Sequence, residues 1–436
     1  VKPLVAIVGR PNVGKSTLFN RLAGRRIAIV EDSPGVTRDR LYADCTWGQH
    51  AFTLIDTGGI DPYGESEIFT HMRRQAQAAI DLCDVILFLC DGQSGLSPDD
   101  RAVADMLRHA RKPVLTVVNK VDRFPSNLHT DFYSLGLGEV HPISAANGLN
   151  LGDMLDAIIA NFSPITETEE NKSLKIAIVG RPNAGKSSIV NALCGEERVI
   201  VSALPGTTRD AVDTPLTADG KDYVLIDTAG IRRKARIERA SIEQYSVLRA
   251  LAAISRCDVA VLVIDACAGL AEQDQKIAGL ILDAGKPCVI AVNKWDAVEK
   301  TTGTLEAYEK DLDRELKFIS WARRVYISAI KGQRLKNLLP ECEKAHAAAS
   351  FRVPTGVLND CIGEAVAITQ PPPGPRGRVK IYFSTQASVC PPTFVIKVNQ
   401  PEALHFSYLR YLENIIRKTF DFDGTPIKVI IRGREE

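Results

Sequence analysis

The segment Val5-Ala-Ile-Val-Gly-Arg-Pro-Asn-Val-Gly-Lys-Ser16 returns 171 positions later as Ile176-Ala-Ile-Val-Gly-Arg-Pro-Asn-Ala-Gly-Lys-Ser187. Each begins with a short apolar run that reads as a buried strand. The G-x-x-x-x-G-K-S that follows must turn the strand into a helix, here Leu18–Leu22 and Ile189–Leu193. In such a turn backbone N–H groups wrap a phosphate, glycine allows close approach, and the helix N-terminus favours negative charge. Lys15 and Lys186 would reach the β- and γ-phosphates, and Ser16 and Ser187 would ligate Mg2+.

Working outward, the whole first half of the chain recurs. Pro34-Gly-Val-Thr-Arg-Asp39 matches Pro205-Gly-Thr-Thr-Arg-Asp210, and Leu54-Ile-Asp-Thr-Gly-Gly-Ile60 matches Leu225-Ile-Asp-Thr-Ala-Gly-Ile231, at the same offset. The offset becomes 174 at Val118-Asn-Lys-Val-Asp122 and Val292-Asn-Lys-Trp-Asp296, and 184 at Ile143-Ser-Ala145 and Ile327-Ser-Ala329. The second copy therefore carries insertions near 232–246 and 297–320. A period this long is a domain duplication, not a solenoid repeat.

In both copies short apolar runs (Val85–Cys90, Val114–Val118; Val259–Ile264, Cys288–Val292) alternate with helical segments such as Asp99–His109. That pattern predicts an α/β fold, twice: a mostly parallel sheet with helices on both faces. The acidic, aperiodic stretch 163–173 reads as a linker between domains at 1–162 and 174–350. Beyond it, 351–436 reads as α-β-β-α-β, a separate small α+β domain whose second helix carries Leu409, Leu412, Ile416 and Phe420 on one stripe.

The remaining shared motifs have a chemistry each. Asp56 and Asp227 end apolar strands 41 residues after their P-loop lysines, where a carboxylate can hold Mg2+ through water. Gly59 and Gly230 would offer N–H to the γ-phosphate. Thr37 and Thr208 lie between the two motifs and would complete the Mg2+ shell only while that phosphate is present, a switch between order and disorder. Asp122 and Asp296 can each accept from two neighbouring donors, which guanine has and adenine lacks. The stems of Lys120 and Lys294 would pack on the base, and the Ser144-Ala145 and Ser328-Ala329 backbones would donate to the purine oxygen.

Composition excludes several classes. With 54 Lys and Arg against 53 Asp and Glu in 436 residues, the net charge is +1, so any nucleic-acid surface must be a local patch. No run of 18 apolar residues suggests a membrane span, and the N-terminus has no signal-peptide stretch. The ten cysteines include no C-x-x-C, so zinc is not expected; Cys90, Cys257, Cys267 and Cys288 read as small buried hydrophobes of a reduced, cytoplasmic protein.

On these motifs each copy resembles a Ras-like P-loop GTPase of the translation-factor-related class. The tandem arrangement with its α+β tail is similar to the EngA family of bacterial tandem GTPases over essentially the whole chain. The resemblance implies a KH-like tail, Mg2+ as cofactor, GTP and GDP as ligands, and a role in assembling the large ribosomal subunit with ribosomal RNA as partner. No membrane partner is expected, and the chain is expected to act as a monomer. It implies a nucleotide-binding set in the first copy of Gly9, Arg10, Pro11, Asn12, Val13, Gly14, Lys15, Ser16, Asp56, Thr57, Gly58, Gly59, Ile60, Asn119, Lys120, Val121, Asp122, Ser144 and Ala145. The second set is Gly180, Arg181, Pro182, Asn183, Ala184, Gly185, Lys186, Ser187, Asp227, Thr228, Ala229, Gly230, Ile231, Asn293, Lys294, Trp295, Asp296, Ser328 and Ala329.

Departures qualify this. Ile60 and Ile231 stand where a Ras-type enzyme has the Gln that orients water. In related GTPases an Asn at the third variable P-loop position helps bind K+ in place of an arginine finger. Asn12 and Asn183 stand there, which makes Asn12, Lys15 and Thr37, and Asn183, Lys186 and Thr208, the expected catalytic groups. Asn also simply suits a turn. The missing Gln leaves open a nucleotide-dependent RNA-binding scaffold in which turnover is incidental. Arg232–Arg239, with five basic residues in eight, contrasts with acidic Asp61–Glu65 and suggests an RNA or interdomain contact in the second copy alone. Gly374-Pro-Arg-Gly377 has the letters of a KH clamp loop, but that loop should interrupt the helix near 402–420, where no Gly occurs.

Overall fold

The computed structural model describes residues 2–23, 42–57, 76–77, 79–110, 112–122, 127–162, 173–195, 199–201, 213–227, 242–375 and 377–433. The chain divides into two compact units, one of 1–171 with 237–252 and the other of 172–236 with 253–436. Of the expected linker 163–173, only Ser173 is among the described residues.

The first unit contains β1 (Leu4–Val8), α1 (Lys15–Ala23), β2 (Tyr42–Trp47), β3 (His50–Asp56), β4 (Val85–Asp91), α2 (Pro98–Arg108), β5 (Val114–Asn119), β6 (Val140–Pro142) and α3 (Leu151–Ala160). Its sheet runs β2-β3-β1-β4-β5-β6, with β2 antiparallel to β3 and the other pairs parallel. Every residue of β4 is buried. Successive side chains point to opposite faces, so a strand buried throughout is covered on both sides. On one face Leu87 and Leu89 pack with Leu18 and Leu22 of α1 and Met154 and Ile158 of α3. The half-exposed pattern of β2 explains why the sequence did not reveal it.

The second copy repeats the plan with β7 (Leu174–Val179), α4 (Lys186–Gly195), β8 (Val199–Val201), β9 (Thr214–Ala218), β10 (Lys221–Ile226), α5 (Ile242–Arg256), β11 (Val259–Asp265), α6 (Glu272–Asp283), β12 (Cys288–Asn293), α7 (Thr304–Glu315), β13 (Arg323–Tyr326) and α8 (Leu338–Ser350), all of it in the second unit except 242–252 of α5. The sheet order is β13-β12-β11-β7-β10-β9-β8. Its β9 and β8 are antiparallel additions, and the rest is parallel. The insertion near 297–320 holds α7, whose Tyr308 packs on Trp295 at 5.4 Å between centroids.

The tail follows the expected order: α9 (Thr355–Ile368), β14 (Ile381–Ser388), β15 (Thr393–Val398), α10 (Phe406–Phe420) and β16 (Lys428–Gly433). The buried stripe of α10 is Tyr408, Leu412 and Ile416, one residue every four; Leu409 and Phe420 flank it, half-buried. The helix is unbroken, and Gly374 and Gly377 instead close a turn on each other by two backbone hydrogen bonds of 2.8 and 3.0 Å. Gly424 donates to Trp321 O at 2.7 Å and accepts from Cys288 N–H at 2.8 Å, so the tail is bonded to the second sheet. A side chain at 424 would meet Ala345 Cβ at 2.8 Å.

Cys90, Cys257 and Cys288 are buried, and burial pushes the Cys257 and Cys288 thiols up to about 12. Cys267 is exposed, against expectation, because β11 ends at Asp265 and the cysteine falls in the turn that follows. No helix among the described residues is long and apolar enough to cross a membrane.

Candidate functional site

Both sites form where the parallel strands end, β1, β3, β4 and β5 in the first copy and β7, β10, β11 and β12 in the second. At such carboxyl ends the chain turns away and leaves a crevice. Gly14 and Gly185 sit at φ of +99° and +98°, and any Cβ there would collide with the side-chain amide of Asn119 or Asn293. Those two asparagines hold the site together. Asn119 donates to Val13 O at 2.8 Å and accepts from Ala145 N–H at 2.9 Å. Asn293 does the same with Ala184 O at 3.0 Å and Ala329 N–H at 3.0 Å. The amides of Ala145 and Ala329, read from sequence as donors to a purine oxygen, thus engage the Asn carbonyl.

The phosphate end is polar, with Lys15 and Asp56 buried. Lys15 is 8% exposed and donates to Gly9 O at 2.7 Å and Arg10 O at 2.8 Å. Lys186 makes the matching bonds to Gly180 O and Arg181 O. Burial pulls Lys15 down to about 8, with Asp56 opposing the shift. Ser16 Oγ donates to Asp56 at 2.9 Å, so a hydroxyl and a carboxylate converge as hard oxygen ligands for a divalent cation. Thr57 is buried, and its hydroxyl donates to Ile7 O at the end of β1. In the second copy Asp227 has φ +58° and its N–H donates to Asp213 at 3.0 Å. Asn12 and Asn183 both lie in the left-handed region, at φ of 65° and 66°, with exposed side chains.

At the base end, Asp122 accepts from Ser144 Oγ at 2.7 Å and Asn147 at 3.1 Å. Asp296 lies 3.2 Å from Lys331, and hydrogen bonding from Ser328, with Lys331, holds it below the usual carboxylate range. Val121 and Trp295 are buried. Trp295 stacks on Tyr326 at 4.6 Å. Pro11 and Pro182 are backbone of the P-loop turn.

Two pairs of groups escaped the sequence reading. Arg10 and Arg181, assigned to the nucleotide, turn instead to a buried carboxylate at the start of α2 or α6. Arg10 Nε lies 3.1 Å from Asp100, and Arg181 Nε lies 3.3 Å from Asp274; both acids are 0% exposed. The arginines also donate to the loop before that helix, at Ser94 Oγ (2.9 Å) and Gly269 O (2.7 Å). Burial raises both carboxyls. Likewise Lys120 and Lys294 are clamped by Asp91 at 2.6 Å and Asp265 at 2.5 Å. Burial works to raise Asp91, but the bonds from Lys120, Ser94 and Gln93 leave it below the ordinary value. The signal was available: Asp91 and Asp100 recur as Asp265 and Asp274 at the offset of 174. Thr37, Gly58, Gly59, Ile60, Thr208, Thr228, Ala229, Gly230 and Ile231, and the basic run 232–239, lie outside the described residues.

Comparison with known proteins agrees with this geometry. A family described as 50S ribosome-binding GTPase matches residues 4–120 and 175–294. The KH-domain-like C-terminal family of EngA bacterial GTPases matches 352–432. The elongation factor Tu GTP-binding domain matches 242–347. GTPase Der of Alkaliphilus oremlandii is 53% identical over 99% of both chains. GTPase Der of Agathobacter rectalis is 54% identical over 100% of this chain and 99% of its own. Among solved structures, Aquifex aeolicus Era bound to GDP and AlF4− covers 75% of this chain and 92% of its own at 20% identity, with a TM-score of only 0.30.

Proposed function

This chain belongs to the GTPase Der family, and on that premise we propose that GTP hydrolysis at its two sites gates binding to an assembly intermediate of the large ribosomal subunit. The protein is a GTP-hydrolysing enzyme with two GTPase domains and a KH-like tail. Our reading bounds these at 1–162, 174–350 and 351–436. The family dependence on Mg2+ fits the residues present. Ser16 and Asp56, and by register Ser187 and Asp227, would hold the ion, with Thr37 and Thr208 joining while the γ-phosphate remains. Bound Mg2+ neutralises charge on the transferring phosphoryl group.

The chain's own groups do the rest. Lys15 and Lys186 would leave the P-loop carbonyls for the β- and γ-phosphates. Asp122 and Asp296 select guanine. With Ile at 60 and 231, no side chain there orients water, and we assign K+ held with Asn12 and Asn183 the task of stabilising transition-state charge. Thr57, Val121 and Trp295, all buried, support the loops.

The observation that carries turnover in both domains is the duplicated wiring of P-loop, base loop and S-A loop by Asn119 and Asn293. The missing Gln favours the second reading, an RNA-binding scaffold in which occupancy alone matters. The ribosomal target is supported by the description of the matching family. We take the protein to act in the cytoplasm as a monomer, on ribosomal RNA. Sedimentation of the protein with large subunits and their precursors in GDP, GTP and a non-hydrolysable analogue tests this. Gating requires retention with the analogue and release with GTP. Equal retention with GTP and the analogue supports the scaffold, and no association in any state refutes the ribosomal target.

A further inference from the structure

We infer that the outer edge of the second GTPase sheet carries a binding site for an RNA phosphodiester backbone, built on cations that the equivalent segment 139–160 of the first domain does not have. The inference rests on RNA being a partner of the chain and names where part of it is held. Strand β13 ends its sheet, and between it and α8 lies a groove of about 610 Å3 lined by Arg324, Tyr326, Arg334, Glu341 and Lys344 among others. Glu341 is neutralised by Arg323 at 2.8 Å and Lys344 at 2.6 Å. Arg324 pairs with Asp313, while Arg334 is exposed and has no ion pair among the described residues. The groove and its rim are therefore net positive.

The duplication supplies an internal control. Residues 323–344 contain six Lys and Arg against two Glu; the equivalent 139–160, 184 positions earlier, contain no Lys or Arg and three acids, Glu139, Asp153 and Asp156. Both segments form the same strand, loop and helix, so folding does not require the cations. Arg334 makes the point most sharply. It sits at φ +57°, and its counterpart Asn150 sits at +55°. Asn tolerates the left-handed region; a long side chain there is disfavoured, and its charge is the reason to place it. A strip of cations on an otherwise near-neutral chain matches a phosphate backbone by charge. Gly424 of the tail docks beside it, against Ala345 and Arg323, so the strip continues toward the KH-like domain of the same unit.

The test uses the full-length protein and a labelled 24-base-pair RNA hairpin, titrated from 50 to 200 mM KCl with GDP and with a non-hydrolysable GTP analogue. The variant is Arg324→Gln/Arg334→Asn/Lys344→Gln, in which Arg334→Asn borrows the first copy's residue at that backbone geometry. The basal GTPase rate, which these residues do not serve, reports folding. The proposal expects at least tenfold weaker RNA binding at 100 mM salt, with the slope of log K against log salt reduced by roughly 2 to 3 for three lost phosphate contacts. Wild-type binding with an unchanged variant slope overturns the groove but leaves RNA as a partner. If the wild-type protein binds no RNA in either nucleotide state, the partner reading falls and the groove with it. If the variant keeps RNA but loses a ribosomal protein, the groove is a protein site and the proposal is overturned.

Discussion

Replacing Asp100 by Ala, alone and together with Arg10→Ala, measures how firmly the first P-loop is anchored. Asp100 is fully buried, accepts from Ser97 N–H at 3.1 Å and Ser97 Oγ at 2.9 Å, and faces Arg10 at 3.1 Å. Removing one member of a buried pair typically costs 3–5 kcal/mol, chiefly because the other charge is left buried. Arg10 keeps its bonds to Ser94 Oγ and Gly95 O, and its side chain is 19% exposed, which argues for the low end, about 3 kcal/mol. At roughly 2–4 °C per kcal/mol, the transition of that domain should fall by about 10 °C. Asp100→Asn keeps a cap for α2 and should lose about half as much. In the double variant no charge is orphaned, so its loss should undershoot the sum of the single losses by at least about 1 kcal/mol. Calorimetry on the four proteins gives the cycle, and GTP binding gives its functional side: KM at the first site should rise while the second site is unaffected. Additive losses, or a rise in KM equal for Asp100→Asn and Asp100→Ala, would refute the anchoring argument.

Asp122→Asn or Asp296→Asn should weaken GTP at its own site by roughly 2–4 kcal/mol and favour xanthosine nucleotides; unchanged preference in both variants would end the guanine assignment. Exchanging K+ for Na+ at constant ionic strength should slow turnover about tenfold or more, and Asn12→Ala or Asn183→Ala should each abolish that response in its own domain. Equal rates in both salts would leave an external activator as the source of the missing charge. Lys15, held at about 8 by burial, must be charged to meet phosphate. Nucleotide binding at the first site should therefore take up a proton above pH 8, and affinity should fall there by up to about tenfold per pH unit. Stability of the domain measured without nucleotide should move the other way. The unfolded chain binds more protons between pH 8 and 10.5, so unfolding free energy rises with pH across that window. A nucleotide affinity flat from pH 7 to 9.5 by calorimetry would exclude the charge change.

The fold class, the duplication and the ligand class were legible in the chain because each depends on local rules. A buried parallel strand must be apolar throughout, as β4 and β11 are, and a phosphate loop must have glycine where backbone crowds the ligand. The motif spacings, repeated twice, made accidental matches untenable. What stayed hidden depended on partners distant in the chain. Nothing local to Arg10 says that its guanidinium turns to Asp100, ninety residues on, and not to a phosphate. The same holds for the Ala145 amide, which Asn119 takes, and for the edge strand β2 and the antiparallel strand β9, whose partly exposed residues carry no strong apolar pattern. The basic edge at Arg324, Arg334 and Lys344 was also dispersed in sequence. Only the pairing of β13 at the sheet margin, with α8 packed beside it, brings those charges to one groove, because proximity there is set by hydrogen-bonded register and packing, not by position along the chain.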